Sequence, residues 1–385
     1  MAVPPAGMGR ARVGYGDGSW VLGLDGAFSP LYGAMGGVAG VWAVRHPRPG
    51  RLPSIERTPG LFKRRRIPYG PAMATVLVTG GAGFIGSHLT EALVQRGDRV
   101  RVLDDLSTGH RTNLGGVAGR FEMVEGSFVD REICARAVEG VATVFHQGAL
   151  PSVPKSLEFP QQTHAANVTG TLNLLVAARD AGVRRFVYAA SSSAYGDTEV
   201  LPKTESMPAA PKSPYAVQKH AGELYCRTFW ENYGLPTVSL RYFNIFGPRQ
   251  DPASPYSAVI PKFVTACLRD EAPVVNGDGS HSRDFTFVDN VVHANLLAAE
   301  APEAAFGRVF NVACGERIDL LQLASEIRAQ LGRGRPPVHG PVRPGDVLHS
   351  QADLTEAGRI LGYVPQVRFR EGIARTVAAY RGSRS

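Results

Sequence analysis

From residue 73 onward, short apolar runs rich in β-branched residues alternate with longer stretches of helical period. TVLVT at 75–79 is followed by FIGSHLTEALVQRG at 84–97, whose apolar positions recur every three or four residues and stop at a glycine. RVRVLD at 99–104 then completes a strand–helix–strand opening. Further apolar runs stand in VATVFHQGA, RRFVYAASS and PTVSLRYFN, separated by the helix-like NVTGTLNLLVAARDAG and YAVQKHAGELYCRTFWENYG. Strands alternating with helices predict an α/β fold, a Rossmann-type doubly wound parallel sheet.

Residues 1–72 break this pattern. They are rich in Gly and Pro and show no countable strand or helix period, which predicts a disordered basic leader. Met73 stands directly before the first strand, so a mis-assigned start is the alternative. The net charge of +8 belongs almost wholly to this leader: it holds ten Lys+Arg against three Asp+Glu, or +7, which leaves 32 against 31, or +1, for residues 73–385. A nearly neutral body gives no nucleic-acid surface, and a single KRRR run reads as a solvated tail. The uncharged stretch GAFSPLYGAMGGVAGVWAV makes a cleavable signal or membrane span the weaker alternative, because it is rich in glycine and poor in Leu and Ile. Four dispersed cysteines without a CxxC pair suggest neither a metal site nor a disulfide framework, and fit a reducing, cytoplasmic setting.

The glycines of TGGAGFIGSH, Thr79–His88, fall between the first strand and the first helix. There Gly80 and Gly83 permit a tight turn and close approach of the backbone to a pyrophosphate, while Gly86 permits close strand–helix packing. Phosphates would rest on the helix N-terminus, where unpaired N–H groups and the dipole favour anions. Asp104 ends the second strand about 20 residues on, where an acid accepts the adenosine ribose hydroxyls. It repels a 2′-phosphate, so the cofactor expected is NAD rather than NADP. Glycine-rich text alone is weak evidence; strand, helix and Asp104 in register make it specific.

SSSAYG, Ser191–Gly196, precedes SPYAVQKH, which contains Tyr215 and Lys219. Four residues apart on a helix, these two share a face. A nearby ammonium, with the positive charge of a nicotinamide, stabilises a phenolate and lowers the tyrosine pKa toward working pH, which makes a usable base. A surface pair is the plainer reading of that spacing. Its place after the fifth strand of a dinucleotide fold favours chemistry.

From Met73 to about Tyr380 the chain resembles the extended short-chain dehydrogenase/reductase family, and within it the UDP-hexose 4-epimerases. TGGAGFIGSH, LDDLSTG, NVTGTLNLL, SSSAYGD, SPYAVQK, LRYFNIFGPRQDP, NGDGSHSRDFTFVDN and RPGDVLHSQAD stand in family order. RQDP, AVIPKF and SRDFTFVDN are most similar to the branch acting on N-acetylated UDP-hexosamines. The resemblance implies an NAD-binding Rossmann domain over 73–244 and a smaller C-terminal α/β lobe over 245–385 that binds a UDP-sugar. It makes Tyr215 the base on the sugar 4-hydroxyl, Lys219 the holder of the nicotinamide ribose, and Ser191 a hydrogen-bonding partner of that hydroxyl. Around tightly bound NAD it places Gly80, Gly83, Phe84, Ile85, Gly86, Asp104, Gln147, Gly148, Ala149, Asn167, Lys219 and Tyr242. Around the UDP-sugar it places Ser191, Ser193, Tyr215, Asn244, Ala258, Arg283, Arg343, Asp346 and Ser350, the last as a low wall beside the 2-substituent. It implies no metal and a homodimer. The reaction implied is oxidation at C4, rotation of the 4-keto sugar, and return of the hydride to its other face.

Two departures from the family pattern are Ser127, where an Asp commonly meets the adenine, and Pro151, where many epimerases carry a lysine. The 4,6-dehydratases need an Asp–Glu pair where this chain has Ser192 and Ser193, and a UDP-glucuronate decarboxylase usually has a glutamate at the second place. A UDP-glucuronate 4-epimerase stays open. A non-catalytic NAD-sensing protein of the same fold tends to lose the Tyr/Lys pair, which this chain keeps.

Overall fold

A computed structural model of the chain describes residues 11–16, 19–24, 74–251, 258–341 and 348–382. The chain divides into two units, Met1–Pro68 and Tyr69–Ser385. In the first, Ala11–Gly16 and Ser19–Leu24 pair as an antiparallel ribbon, Ala11 opposite Leu24 and Gly16 opposite Ser19. The other residues of the expected leader lie outside the described residues.

The second unit is built on seven parallel strands: β1 Thr75–Thr79, β2 Arg99–Asp104, β3 Phe121–Glu125, β4 Val141–His146, β5 Arg185–Ser191, β6 Thr237–Tyr242 and β7 Arg308–Val312. Their order is β7-β6-β5-β4-β1-β2-β3. The order reverses between β4 and β1, so a crevice opens at the carboxyl ends of these two strands, the usual seat of a ligand in a doubly wound sheet. Both faces are covered. Helices α1 (Phe84–Arg96), α2 (Arg131–Val138), α3 (Thr171–Asp180), α4 (Pro214–Tyr233) and α5 (Val288–Glu300) supply the cover. Because successive strand side chains point to opposite faces, Val76 and Val78 join one core with Leu89 and Val291, while Leu77 joins the other with Leu174 and Cys226.

The lobe beyond Asn244 has short two-stranded ladders rather than one sheet. Ile245–Phe246 pairs with Thr286–Phe287, Ser282–Arg283 with Ile318–Asp319, and Val274–Asn276 with Val338–Gly340. Its core gathers Phe246, Phe263, Phe285, Phe287 and Phe369. Helix Leu320–Leu331 starts with a reciprocal capping box between Asp319 and Gln322. The division expected at residue 244 needs amending, since α5 and β7 come from beyond it yet complete the first sheet. Asp284 ties the lobe to the end of β7: its buried carboxylate accepts the amides of Cys314 at 2.9 Å, Gly315 at 3.0 Å and Ala352 at 3.1 Å. Burial carries its pKa up to about 6 despite those donors.

Candidate active site

β1 ends at Thr79, and the chain turns through Gly80–Gly83 into α1. Gly80 sits at φ +65°, and a Cβ on it would come within 2.7 Å of the Gly148 backbone. A Cβ on Gly86 would lie 2.0 Å from the Gly80 carbonyl oxygen. Gly83 is the N-cap of α1, and no side chain caps that end. The result is a bare backbone cradle on a helix N-terminus, which fits the phosphates of a dinucleotide. Phe84 and Ile85 contribute backbone to it while their side chains pack into the cores. Asp104, 6% exposed, accepts Ala82 N–H at 2.8 Å and Leu106 N–H at 2.9 Å. Burial raises its pKa and these two donors oppose the rise. Gly86→Ala is expected to abolish cofactor retention and lower the melting temperature, because a backbone carbonyl cannot yield the missing ångström. Normal cofactor content in that variant would show that the turn is not the cradle.

Gln147, Gly148 and Ala149 follow β4 into the crevice. Gln147, Tyr242 and Asn295 form a closed ring of hydrogen bonds. The Tyr242 hydroxyl donates to Gln147 Oε1 at 3.1 Å, Gln147 Nε2 to Asn295 Oδ1 at 2.9 Å, and Asn295 Nδ2 to the Tyr242 hydroxyl at 2.8 Å. Asn295 was missed in the sequence, where it is one of several polar residues along α5. Asn167, 2% exposed, receives Leu150 N–H at 2.8 Å and donates to Gln218 Oε1 at 2.9 Å. Ser127 Oγ accepts the amide of Val129 at 3.3 Å.

Tyr215 stands in the first turn of α4, which opens with Ser213 as N-cap and Pro214 next to it. Its amide donates to Ser156 Oγ at 3.1 Å. Ser191 is the last residue of β5, and its hydroxyl favours the charged form of the phenol. Burial nevertheless raises the Tyr215 pKa, with the Ser191 hydroxyl opposing. Within the chain alone, without the nicotinamide charge that the expected lowering also requires, desolvation is the larger effect. Lys219 is 3% exposed, and its Nζ lies 4.6 Å from the centroid of the Tyr188 ring. Burial brings its pKa down to about 8, while the charge of Glu223 one turn on pulls upward. Glu223 is held by Arg241 through two bonds of 2.9 and 2.8 Å.

On the other side of the crevice, Ser193 donates to Ser191 Oγ from its amide at 3.2 Å and its hydroxyl at 2.9 Å. Asn244, at φ +39°, donates to Ser350 Oγ at 3.2 Å. Ser350 is 9% exposed, and its Oγ also accepts the Asp284 amide at 3.4 Å. Arg283 donates to the carbonyls of Ser282 at 3.0 Å and Leu348 at 3.1 Å. Ala258 is exposed at the head of helix Val259–Leu268. Arg343 and Asp346 lie outside the described residues. A groove of about 850 Å³ beside α4, with Glu205, His220, Glu223 and Arg241 on its walls, includes neither Tyr215 nor Ser191. Among the described residues no group of His, Cys, Asp and Glu is arranged to hold a metal ion, and no helix is long and apolar enough to cross a membrane.

The family described as NAD dependent epimerase/dehydratase matches residues 76–313. The chain is 40% identical over 309 residues to a UDP-glucose 4-epimerase of Mycolicibacterium smegmatis, covering 79% of this chain and 98% of the relative. A UDP-N-acetylglucosamine 4-epimerase from Methanobrevibacter ruminantium, solved with UDP-N-acetylmuramic acid, is 38% identical with TM-score 0.77, over 80% of this chain and 99% of the other. A Thermus thermophilus UDP-glucose 4-epimerase solved with NAD is 36% identical with TM-score 0.74, over 80% and 99%.

Proposed function

The chain belongs to the NAD dependent epimerase/dehydratase family, and from that premise we propose that it is an isomerase that inverts C4 of a UDP-hexose with NAD as its resident cofactor. The observation that carries this reading is the placement of Tyr215, half-buried, and Lys219, buried, one turn apart on α4, with Ser191 ending β5 at the carboxyl ends of the strands.

The residues that would hold the cofactor are the Gly80–Gly86 turn, Asp104 and the 147–149 turn; Lys219 would meet the nicotinamide ribose. When bound, NAD supplies a hydride acceptor that returns the same hydride. Tyr215 takes the proton of the 4-hydroxyl and gives it back, and Ser191 orients that hydroxyl. The raised phenol pKa keeps the proton on Tyr215 until a positive charge is near. Asn244 faces the diphosphate, and the lobe beyond it holds the uridine end. Ser193 is engaged with Ser191 and offers no carboxylate, which speaks against dehydration.

Among UDP-hexoses, the N-acetylated sugars are the preferred reading. It is supported by the small Ser350 and Ala258 and by the similarity to the N-acetylglucosamine enzyme. The test is kcat/KM on UDP-N-acetylglucosamine, UDP-glucose and UDP-glucuronate with products resolved. UDP-N-acetylglucosamine is expected to turn over at least as well as UDP-glucose. Ser350→Tyr is expected to remove the N-acetylated activity. Because it also displaces the partner of Asn244, it should cost UDP-glucose about tenfold or less. An equal fall for both sugars would refute the wall.

A further inference from the structure

A buried chain of hydrogen bonds crosses the crevice, and its direction can be worked out from the donors available. The Thr171 hydroxyl donates to the Asn167 carbonyl at 2.8 Å, so its oxygen accepts from His146 Nε2 at 2.9 Å. His146 Nε2 then carries the ring proton, and Nδ1 accepts from Thr79 Oγ1 at 2.7 Å. The Thr79 oxygen is left to accept the Gly148 amide at 3.1 Å. With this tautomer every donor is used once and no member is left without a partner. The ring is 1% exposed and sits edge-on to Phe128 at 5.2 Å. Burial, reinforced by the charge of Lys219, lowers its pKa to about 3, so it stays neutral at any working pH.

The position of this chain is what gives it consequence. Thr79 and His146 are the last residues of β1 and β4, the adjacent strands between which the sheet order reverses. Gly80 and Gly148, the next residue and the next but one, are in such close approach that a Cβ would not fit between them. At the far end, Asn167 clamps Leu150 through both its N–H at 2.8 Å and its carbonyl at 3.2 Å, and bonds Gln218 beside Lys219. We propose that His146 is a positioning residue: it braces the two strand ends that border the crevice and holds the Gly148 turn and the helical segment of Asn167 at the spacing NAD requires. This rests on the assignment of NAD to the crevice.

The test uses the full chain with Thr79→Val and Thr171→Val, which remove one link each at nearly constant shape, and Thr79→Ser and Thr171→Ser, which restore the hydroxyl. NAD carried through purification and the NAD dissociation constant of stripped protein are measured below the melting temperature of each variant, with UDP binding alongside. Each valine variant is expected to lose about tenfold or more in NAD affinity. The serine variants should recover it, and UDP binding should hold within about twofold, as expected for a site remote from the change. If Thr79→Val does not fold, the Thr171 pair decides. Unchanged NAD affinity in folded valine variants, even with lowered melting temperatures, overturns the brace and leaves His146 as a satisfied core residue. Failure of the unsubstituted chain to bind NAD overturns the cofactor assignment itself.

Discussion

Tyr215→Phe folds, retains NAD and loses epimerisation by about 10²–10⁴-fold, the usual worth of a positioned acid–base group. Only one oxygen is removed. The Tyr215 amide still donates to Ser156, so α4 keeps its start. Burial holds the phenol above its ordinary pKa, so the base form grows as pH rises; kcat/KM of the unsubstituted protein should climb with pH until the ionisation is complete. Turnover, melting temperature and bound NAD are measured together. Near-normal turnover in the phenylalanine variant would remove Tyr215 from the chemistry.

Glu223→Gln acts through a different cause and lowers stability by about 3–5 kcal/mol, the cost of leaving a buried charge uncompensated. The Glu223 side chain is 2% exposed, paired to Arg241 by two bonds and to His220 Nδ1 at 2.9 Å. Burial alone would raise its pKa, but the hydrogen bonds and charges of Arg241 and His220 carry it below the ordinary value. A depressed carboxylate stabilises above its unfolded pKa, and that stability is lost as pH falls through the folded one. The variant should therefore differ most from the parent at neutral pH and least in acid. Without Glu223, burial pushes Lys219 further below about 8, so the lysine limb of the pH–rate profile moves to lower pH. Glu231→Gln, at an exposed pair with Arg227, should change stability by about 1 kcal/mol or less. Equal melting temperatures for the two glutamine variants would contradict this account.

The alternation of apolar strands and helical stretches made the parallel sheet readable, and the glycine turn and the Tyr215/Lys219 spacing made the crevice readable. Local pattern carries that information because strand, turn and helix are local. β7 and α5 were not placed, since nothing in 288–312 says which sheet edge they join. Asn295 closes a ring with Gln147 and Tyr242 only after the chain has folded back on itself. The sign of the Tyr215 pKa shift could not be read because it depends on burial, which spacing does not report. One clue was legible and unused: Arg241 in the apolar-flanked run TVSLRY requires a buried acid if that run is a core strand, and Glu223 stands one turn past Lys219.

The late entry of β7 into the sheet has a consequence in time. All six residues of β6 are buried, yet one of its two pairing edges is satisfied only by residues 308–312. Residue 308 follows residue 242 by 66 positions, so β7 emerges from the ribosome 66 residues of synthesis later than β6. At about 5–20 residues per second, that interval lasts on the order of 3 to 13 seconds. Throughout it the newborn chain presents an open, apolar strand edge of the kind that recruits other chains. Slower translation of the second lobe lengthens that exposure, and faster translation shortens it.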